Sequence, residues 1–257
     1  MSAEVTYSQD GPVGTITIDR PDKRNAINAA VVSGISEAIA KAESTDVSVI
    51  VLTGAGDKAF CAGGDLGGIG DDSRVVQHFI RGEVGDLFEQ MRASSMPIVA
   101  RVNGHALAGG FGLMLACDLV VAADDVEVGT PEINIGLWPF MISAVIQRDV
   151  PRKVALEMML TGRRMSVEEA ARWGFVNRVV PRADLDAAVS ELVKLIVSKS
   201  PLIASLGKRS FYVAEDMSFD ASLSYLAGML TLCLESEDTI EGVTAFLEKR
   251  KPQWKGR

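Results

Sequence analysis

Two glycine-rich segments are the parts of this 257-residue chain best suited to chemistry. The first covers residues 59–66 (A-F-C-A-G-G-D-L), and the second covers residues 104–112 (G-H-A-L-A-G-G-F-G). Each follows an apolar run that predicts a buried strand, and each leads into a predicted helix. Helix N-termini present unpaired N–H groups, and glycine lets a ligand approach them closely. Two such junctions could aim two N–H groups at one point, as an oxyanion hole requires. Alternatively, the glycines only permit tight turns.

The sequence gives little indication of a zinc site, a nucleotide-binding loop or a serine–lysine catalytic site. The two histidines, His78 and His105, are too few for a His-rich zinc set, and we expect His105 to be structural. The glycines form neither of the usual nucleotide-binding patterns, G-x-G-x-x-G and G-x-x-x-x-G-K-[ST]. Ser205 and Lys208 fit S-x-x-K, a pattern short enough to arise by chance. The three cysteines lack metal spacing, which favours reduced thiols in a cytoplasmic protein.

Composition narrows the class of protein further. Hydrophobic residues make up 47% of the chain and charged residues 23%, which indicates a folded protein. The net charge of −8 argues against a nucleic-acid partner. The most apolar stretch, 113–123, is short and contains Asp118, whereas a membrane span needs about 20 apolar residues. The first residues show no signal-peptide pattern. We therefore expect neither nucleic acid nor membrane as a partner.

The elements that must position the glycine segments alternate between strands and helices as far as about residue 139. Asn28 is expected to cap a helix whose apolar face contains Val31, Val32, Ile35, Ala38, Ile39 and Ala42. A second helix is predicted over 73–92. Strands are predicted over 13–18, 49–52, 98–102, 119–122 and 126–129. The remainder predicts helices at 139–148, 151–160, 166–173, 184–198, 201–216, 218–234 and 237–250. The last of these are apolar enough to need a partner surface, on the first part of the chain or on another subunit.

Several segments closely resemble the crotonase superfamily, also called the enoyl-CoA hydratase/isomerase superfamily. They are 20–28 (R-P-D-K-R-N-A-I-N), 59–66, 103–118, 131–133 (P-E-I), 160–166 (L-T-G-R-R-M-S) and 246–250 (F-L-E-K-R). The similarity runs over nearly the whole chain, in the family's order and spacing.

The resemblance implies an α/β fold and an acyl-CoA thioester substrate. Residues 1–195 would form a crotonase-like spiral of β-β-α turns with the acyl-CoA site. Residues 196–257 would form a helical trimerisation region with a basic tail, in a homotrimer or dimer of trimers. The resemblance also implies an enolate intermediate held by the backbone N–H groups of Gly64 and Gly109. No metal or cofactor is expected, since coenzyme A is part of the substrate.

The resemblance assigns proton transfer to Glu132, which would otherwise be interpreted as a solvated charge after Pro131. Hydratases of the family use two glutamates, and the earlier position here is Gly112. A single carboxylate suits an enoyl-CoA isomerase, which moves a proton between two carbons. A hydratase with a non-standard water site and a non-catalytic acyl-CoA-binding homologue remain alternatives. A side chain at position 112 would need space beside Phe111 and Trp138.

The remaining predicted site residues bind substrate. Around the oxyanion positions they are Ala62, Asp65, Leu66 and Gly110, of which Asp65 could also anchor its loop. Trp138 and Phe140 either line the acyl end of the site or belong to the core.

Three basic residues, Lys23, Arg24 and Lys249, are expected near the phosphates of coenzyme A. In the family the tail often comes from a neighbouring subunit. Otherwise the tail is a solubilising segment.

Overall fold

The computed structural model describes residues 3–65 and 74–256, with the backbone alone for residues 74–81. Its strands are β1 (Val5–Asp10), β2 (Val13–Ile18), β3 (Val49–Gly54), β4 (Ala59–Cys61), β5 (Ile98–Val102), β6 (His105–Leu107), β7 (Leu119–Ala123), β8 (Glu127–Gly129), β9 (Arg164–Ser166) and β10 (Arg178–Val180). Its α-helices are α1 (Ala29–Glu43), α2 (Arg74–Ala93), α3 (Gly109–Leu115), α4 (Ser143–Asp149), α5 (Arg152–Thr161), α6 (Val167–Trp173), α7 (Leu185–Val197), α8 (Pro201–Glu215), α9 (Phe219–Leu234) and α10 (Glu237–Leu247). Short 3₁₀ helices cover Pro21–Lys23, Pro131–Ile135 and Arg182–Asp184.

The strands form two sheets of different size. The large sheet has the order β1-β2-β3-β5-β7-β10, and its strands are parallel except for the antiparallel pair β1 and β2. The small sheet has the order β4-β6-β8-β9, in which the first three strands are parallel and β9 is antiparallel. Three successive turns of the chain follow the same order. In each turn the first strand belongs to the large sheet, the second strand belongs to the small sheet, and a helix follows. The chain therefore winds as the expected spiral of β-β-α turns.

The core lies between the large sheet and the helices that cover it. Helix α1 buries the six apolar residues predicted for its inner face. Its N-terminus begins after Asn28, whose Oδ1 accepts a hydrogen bond from Val31 N at 2.9 Å. That bond satisfies one of the otherwise unpaired N–H groups of the first turn. Strand β3 is buried along its whole length, as expected for a parallel strand covered on both faces.

A buried polar cluster holds the C-terminal helices to this core. Asp118, at the start of β7, accepts hydrogen bonds from Ile98 N at 2.6 Å and from the Tyr212 hydroxyl at 2.8 Å. Lys208 of α8 forms an ion pair with the same carboxylate at 2.9 Å, and both side chains are largely buried. Lys208 also donates to the carbonyls of Met91 and Met96. All three donors of the lysine are thus satisfied, which offsets the cost of burying its charge.

Helices α8 to α10 leave much apolar surface uncovered within the chain. Helix α9 has no buried residue, and Leu230 is 58% exposed. An apolar groove of about 550 Å³ lies between α8 and α9 and includes Leu206, Phe211 and Met229 in its lining. Within the described ranges, no helix has the length and apolarity needed to span a bilayer.

Candidate active site

Three predicted site residues lie just after the carboxyl ends of neighbouring strands in the small sheet. Gly64 follows β4, Gly109 follows β6, and Glu132 follows β8. These three strands are parallel neighbours, with Ala59 opposite His105 and Leu107 opposite Gly129. Because the carboxyl ends of parallel strands lie on the same side, the fold gathers the two glycine junctions and the carboxylate there.

The backbones of Gly64 and Gly109 lie against each other. A methyl group placed on Gly109 would lie 3.5 Å from the Gly64 nitrogen. Within the described residues, neither N–H group donates to a backbone acceptor. Gly64 pairs with Ile27 through its neighbours, since Ile27 N donates to Gly63 O and Asp65 N donates to Ile27 O. Two backbone donors without a backbone acceptor in the described part of the chain therefore lie next to each other, as an oxyanion hole requires.

Close backbone packing sets this geometry. Gly63 has a φ of +102°, and a methyl group there would lie only 2.6 Å from Ala108 Cβ. Ala108 itself has a φ of +52°, which is rare for a residue with a side chain. Gly110 is buried, and a Cβ on it would collide with the Cys61 carbonyl oxygen. Glycine is thus required at 63 and 110 for packing, and Gly110 acts by letting α3 approach β4.

An ion-pair network anchors the first junction. Arg20 Nη2 lies 2.9 Å from Asp65 Oδ2, and Arg20 Nε lies 3.1 Å from Glu4 Oε1. Arg20 Nη1 also donates to Ala26 O at 2.6 Å. The Asp65 carboxylate therefore fixes the loop next to Gly64. The adjoining Leu66, predicted to contact substrate, lies outside the described residues, as does the side chain of His78.

Glu132 sits in the 3₁₀ helix that follows β8, in a setting unlike that of a solvated charge. Its Oε2 is buried and finds no hydrogen-bond partner among the described residues. Burial raises the pKa of the carboxyl above its ordinary value, and a bond from its own backbone N–H opposes this in part. A half-buried carboxyl of raised pKa is suited to accepting and returning a proton.

For the two aromatic residues after Glu132, the sequence left open whether they line the acyl end of the site or belong to the core. Trp138 packs against the core, whereas Phe140 is 78% exposed. The two side chains therefore occupy different environments. The space at Gly112 is restricted by Ile142 and Phe88, and not by Phe111 and Trp138 as expected from the sequence.

A cleft of about 480 Å³ lies beside the small sheet, next to the first junction. Its basic lining residues are Arg24, Lys58, Arg164 and Arg182. The lining also includes the predicted Ala62, together with His105, whose Nδ1 accepts a hydrogen bond from Glu127 N at 2.9 Å. That bond gives His105 the structural role expected for it.

Some basic side chains of this cleft form ion pairs with carboxylates, and others do not. Arg182 is paired with Asp125 at 2.7 Å and donates to Asn103 O. Within the described ranges, no carboxylate pairs with Arg24 or Lys58. Lys58 was not predicted from the sequence, although its place immediately before β4 could have indicated it. The exposed Lys23 is adjacent to Arg24 but is not part of the cleft lining.

The basic tail is fastened to the helices before it. Buried Asp238 accepts from Ser200 Oγ, Lys255 N and Gly256 N. Arg250 pairs with Glu241 at 2.6 Å. Further bonds join Trp254 to Ser198 O and Lys255 to Glu237. The tail is therefore an ordered strap rather than a free solubilising segment. Lys249, which follows α10, keeps an exposed side chain.

The described residues near the junctions offer neither a thiol nucleophile nor a set of metal ligands. Burial raises the pKa of the Cys61 thiol to about 12, so it stays protonated. Among the described residues, no group of histidine, cysteine and carboxylate side chains is arranged to hold a metal ion.

Comparison with known proteins gives consistent matches over the whole chain. A family model described as enoyl-CoA hydratase/isomerase matches residues 8–257. The carnitinyl-CoA dehydratase of Escherichia coli O157:H7 is 38% identical over 263 residues, covering 100% of both chains. That of Salmonella typhi is 36% identical with the same coverage.

Solved structures agree with these relatives in fold. Human enoyl coenzyme A hydratase domain-containing protein 3 has a TM-score of 0.94 and 32% identity, with 98% of this chain and 100% of that chain covered. An enoyl-CoA hydratase of Mycobacterium smegmatis has a TM-score of 0.95 and 32% identity, with 98% and 99% covered.

Proposed function

Since this chain belongs to the enoyl-CoA hydratase/isomerase family, we propose that it shifts the double bond of an enoyl-CoA thioester with a single glutamate. The Glu132 carboxylate removes a proton from C2 of a 3-enoyl-CoA, and the electrons move onto the thioester oxygen. The resulting dienolate is held by the N–H groups of Gly64 and Gly109. Glu132 then returns the proton to C4, which leaves the double bond between C2 and C3.

This proposal is supported by two adjacent N–H groups without a backbone acceptor among the described residues, and by one carboxylate that follows a neighbouring strand of the same sheet. Donors aimed at developing charge lower the barrier without reorganising during the reaction. Moving a proton between two carbons of one molecule needs one group that both accepts and donates. Glu132 meets that requirement, because its pKa is raised and its Oε2 has no hydrogen-bond partner in the described part of the chain. Position 112 carries no second carboxylate, and its surroundings are the apolar side chains of Ile142 and Phe88.

A second candidate function is the addition or removal of water, which the names of the relatives favour. The carnitinyl-CoA dehydratases match over their full length. A dehydratase on this framework would still use the two backbone donors and Glu132. It would need another group to hold the water, and position 112 supplies none. An acyl-CoA-binding protein without turnover is the third possibility.

A panel of thioesters separates these functions. Pure protein is incubated with 2-enoyl-, 3-enoyl- and 3-hydroxyacyl-CoA, including carnitinyl-CoA, and the products are separated chromatographically against 2-enoyl and 3-enoyl standards before mass spectrometry. Isomerisation leaves the mass unchanged and moves the double bond. Hydration adds the mass of water, and dehydration removes it. Binding without any product would support the non-catalytic homologue.

The pH dependence of isomerisation should follow Glu132. The base must be ionised, and burial raises the pKa of this carboxyl. Activity is therefore lost as pH falls through that raised pKa. We expect the acid limb of kcat/KM to have its midpoint above the usual range of glutamates. A midpoint at or below that range, in protein that circular dichroism shows to be folded, would assign the limb to another group.

Recognition of coenzyme A is proposed to use the cleft and the tail. Arg24 and Lys58 in the cleft, and Lys23 next to Arg24, supply positive charge that no carboxylate of the described residues pairs with, and a phosphate would be attracted there despite the net charge of −8. Lys249 would add a charge, from the same or a neighbouring subunit. We also propose the homotrimer or dimer of trimers, because the apolar surface of α8 to α10 is left for a second copy to cover.

Lys249 offers a direct test of the tail. Deleting residues 249–257 would also remove the bonds to Asp238, so a point substitution is the sharper experiment. We expect Lys249→Ala to raise the Kd for coenzyme A roughly two- to fivefold at low salt, as for one exposed ion pair. Lys251→Ala is the matched control, because this exposed lysine lies on the same strap. Equal effects of the two substitutions would mean that the tail attracts coenzyme A only through its overall positive charge, and not through Lys249 in particular.

A further inference from the structure

Gly112 and Ile142 are interlocked on one face of α3. A Cβ placed on Gly112 would collide with Ile142 Cγ2 and lie 2.5 Å from Ile142 Cβ. It would also lie 3.5 Å from Phe88 Cζ. Ile142 is only 4% exposed. The isoleucine side chain therefore fills the space into which any side chain at position 112 would point.

This space adjoins the reacting end of the site. Gly112 is three residues after Gly109, and residues three apart on a helix share a face. The Gly109 N–H, at the start of that helix, has no backbone acceptor among the described residues and is one of the two proposed oxyanion donors. Phe111 points elsewhere, with its ring 5.9 Å from that of Phe175. Ile142 thus packs on the face of α3 that continues from the donor.

The segment that delivers Ile142 is the one that begins with Glu132. Leu137 N donates to Glu132 O at 3.1 Å. The Ser143 hydroxyl donates to Pro139 O at 2.7 Å. Met141 Cε lies 3.4 Å from the position of a methyl group on Gly85 of α2. The segment therefore contacts both α2 and α3, and local hydrogen bonds shape the backbone that leads from Glu132 to Ile142.

We propose that Ile142 is a specificity-determining residue that excludes water chemistry from the acyl site. This inference rests on the proposed function. Adding water to a 2-enoyl-CoA joins the water oxygen to C3 and one of its protons to C2. That oxygen must be held and deprotonated by a hydrogen-bond acceptor. The methyl and methylene groups of Ile142 offer none, and they occupy the place on α3 from which a second carboxylate would reach the substrate.

The matched pair Ile142→Thr and Ile142→Val tests this assignment. The two side chains have the same shape, and only threonine places a hydroxyl beside Gly112. We expect the ratio of hydration to isomerisation to rise roughly tenfold in the threonine variant relative to the valine variant. The double variant Gly112→Glu, Ile142→Ala should raise the ratio further, by roughly 10²-fold over wild type. Gly112→Glu alone should lower the Tm, because Ile142 remains in place.

Isomerisation of the matching 3-enoyl-CoA keeps this inference separate from the proposed function. Forming its dienolate needs only the two backbone donors and Glu132. Wild type that moves the double bond of no 3-enoyl-CoA would overturn the proposed function. Variants that isomerise at the wild-type rate and keep the wild-type ratio of hydration to isomerisation would overturn the role of Ile142. Because Ile142→Thr adds no volume, it decides the matter even if the double variant does not fold.

Discussion

Replacing Glu132 by glutamine is expected to lower kcat for isomerisation by roughly 10²–10⁴-fold, the usual contribution of general acid–base catalysis. The amide keeps the shape of the side chain but can no longer accept the C2 proton. Affinity for coenzyme A should hardly change, because the carboxyl acts at the acyl end. The Tm should not fall, since Oε2 is buried with no hydrogen-bond partner among the described residues, and neutralising the carboxylate removes a desolvation cost.

Glu127→Gln is the control for that measurement. Glu127 lies at the start of the same strand, β8, and its carboxylate faces Arg164 at 3.4 Å with 45% of the side chain exposed. Its kcat should stay near wild type. Near-normal turnover in Glu132→Gln would remove Glu132 from the mechanism.

The second large effect is expected from removing a backbone donor. Proline has no N–H, so Gly64→Pro deletes one of the two groups proposed to hold the enolate oxygen. Loss of one such donor typically lowers kcat by roughly 10²–10³-fold. The Gly64 N–H donates to no backbone acceptor within the part of the chain that the structure describes, so no structural bond of that kind is lost.

Gly64→Ala is the matched variant that keeps the N–H. No heavy atom of the described residues lies within 4 Å of a Cβ at this position. The alanine variant should therefore retain turnover within about threefold of wild type. Equal losses in both variants would mean that position 64 acts through its shape, and not through its donor.

The sequence predicted the long elements well because their patterns are local. The face of α1 and its Asn28 cap follow from helical spacing and from a side chain that accepts a nearby N–H. The five predicted strands all occur. The strands β1, β4, β6, β9 and β10 were not predicted. All of these strands except β1 have only three residues, too few to show the alternation of apolar and polar residues typical of a strand. Their pairing partners lie far away in the chain. The spiral was not visible as a repeat because its turns differ in length.

For the candidate site, the sequence indicated which residues matter but not what surrounds them. The adjacency of Gly64 and Gly109 follows from two glycine junctions after parallel strands. The contact between position 112 and Ile142 could not be predicted, because no sequence spacing indicates that these two residues are neighbours in the fold. The anchoring of the tail by Asp238 was equally hidden, because a buried carboxylate looks like any charge in a helix. Both contacts depend on tertiary packing.

The ratio of two rates in the wild-type protein tests the single-glutamate site most directly. One sample is given a short 2-enoyl-CoA and another the matching 3-enoyl-CoA, at equal enzyme concentration. Hydration is followed by the gain of one water in mass, and isomerisation by the shift of the double bond. The proposed function predicts that isomerisation is clearly faster. One carboxylate is enough to move a proton between two carbons, whereas the apolar side chain of Ile142 offers no group to hold a water molecule. Hydration as fast as, or faster than, isomerisation would contradict it and make the chain a hydratase.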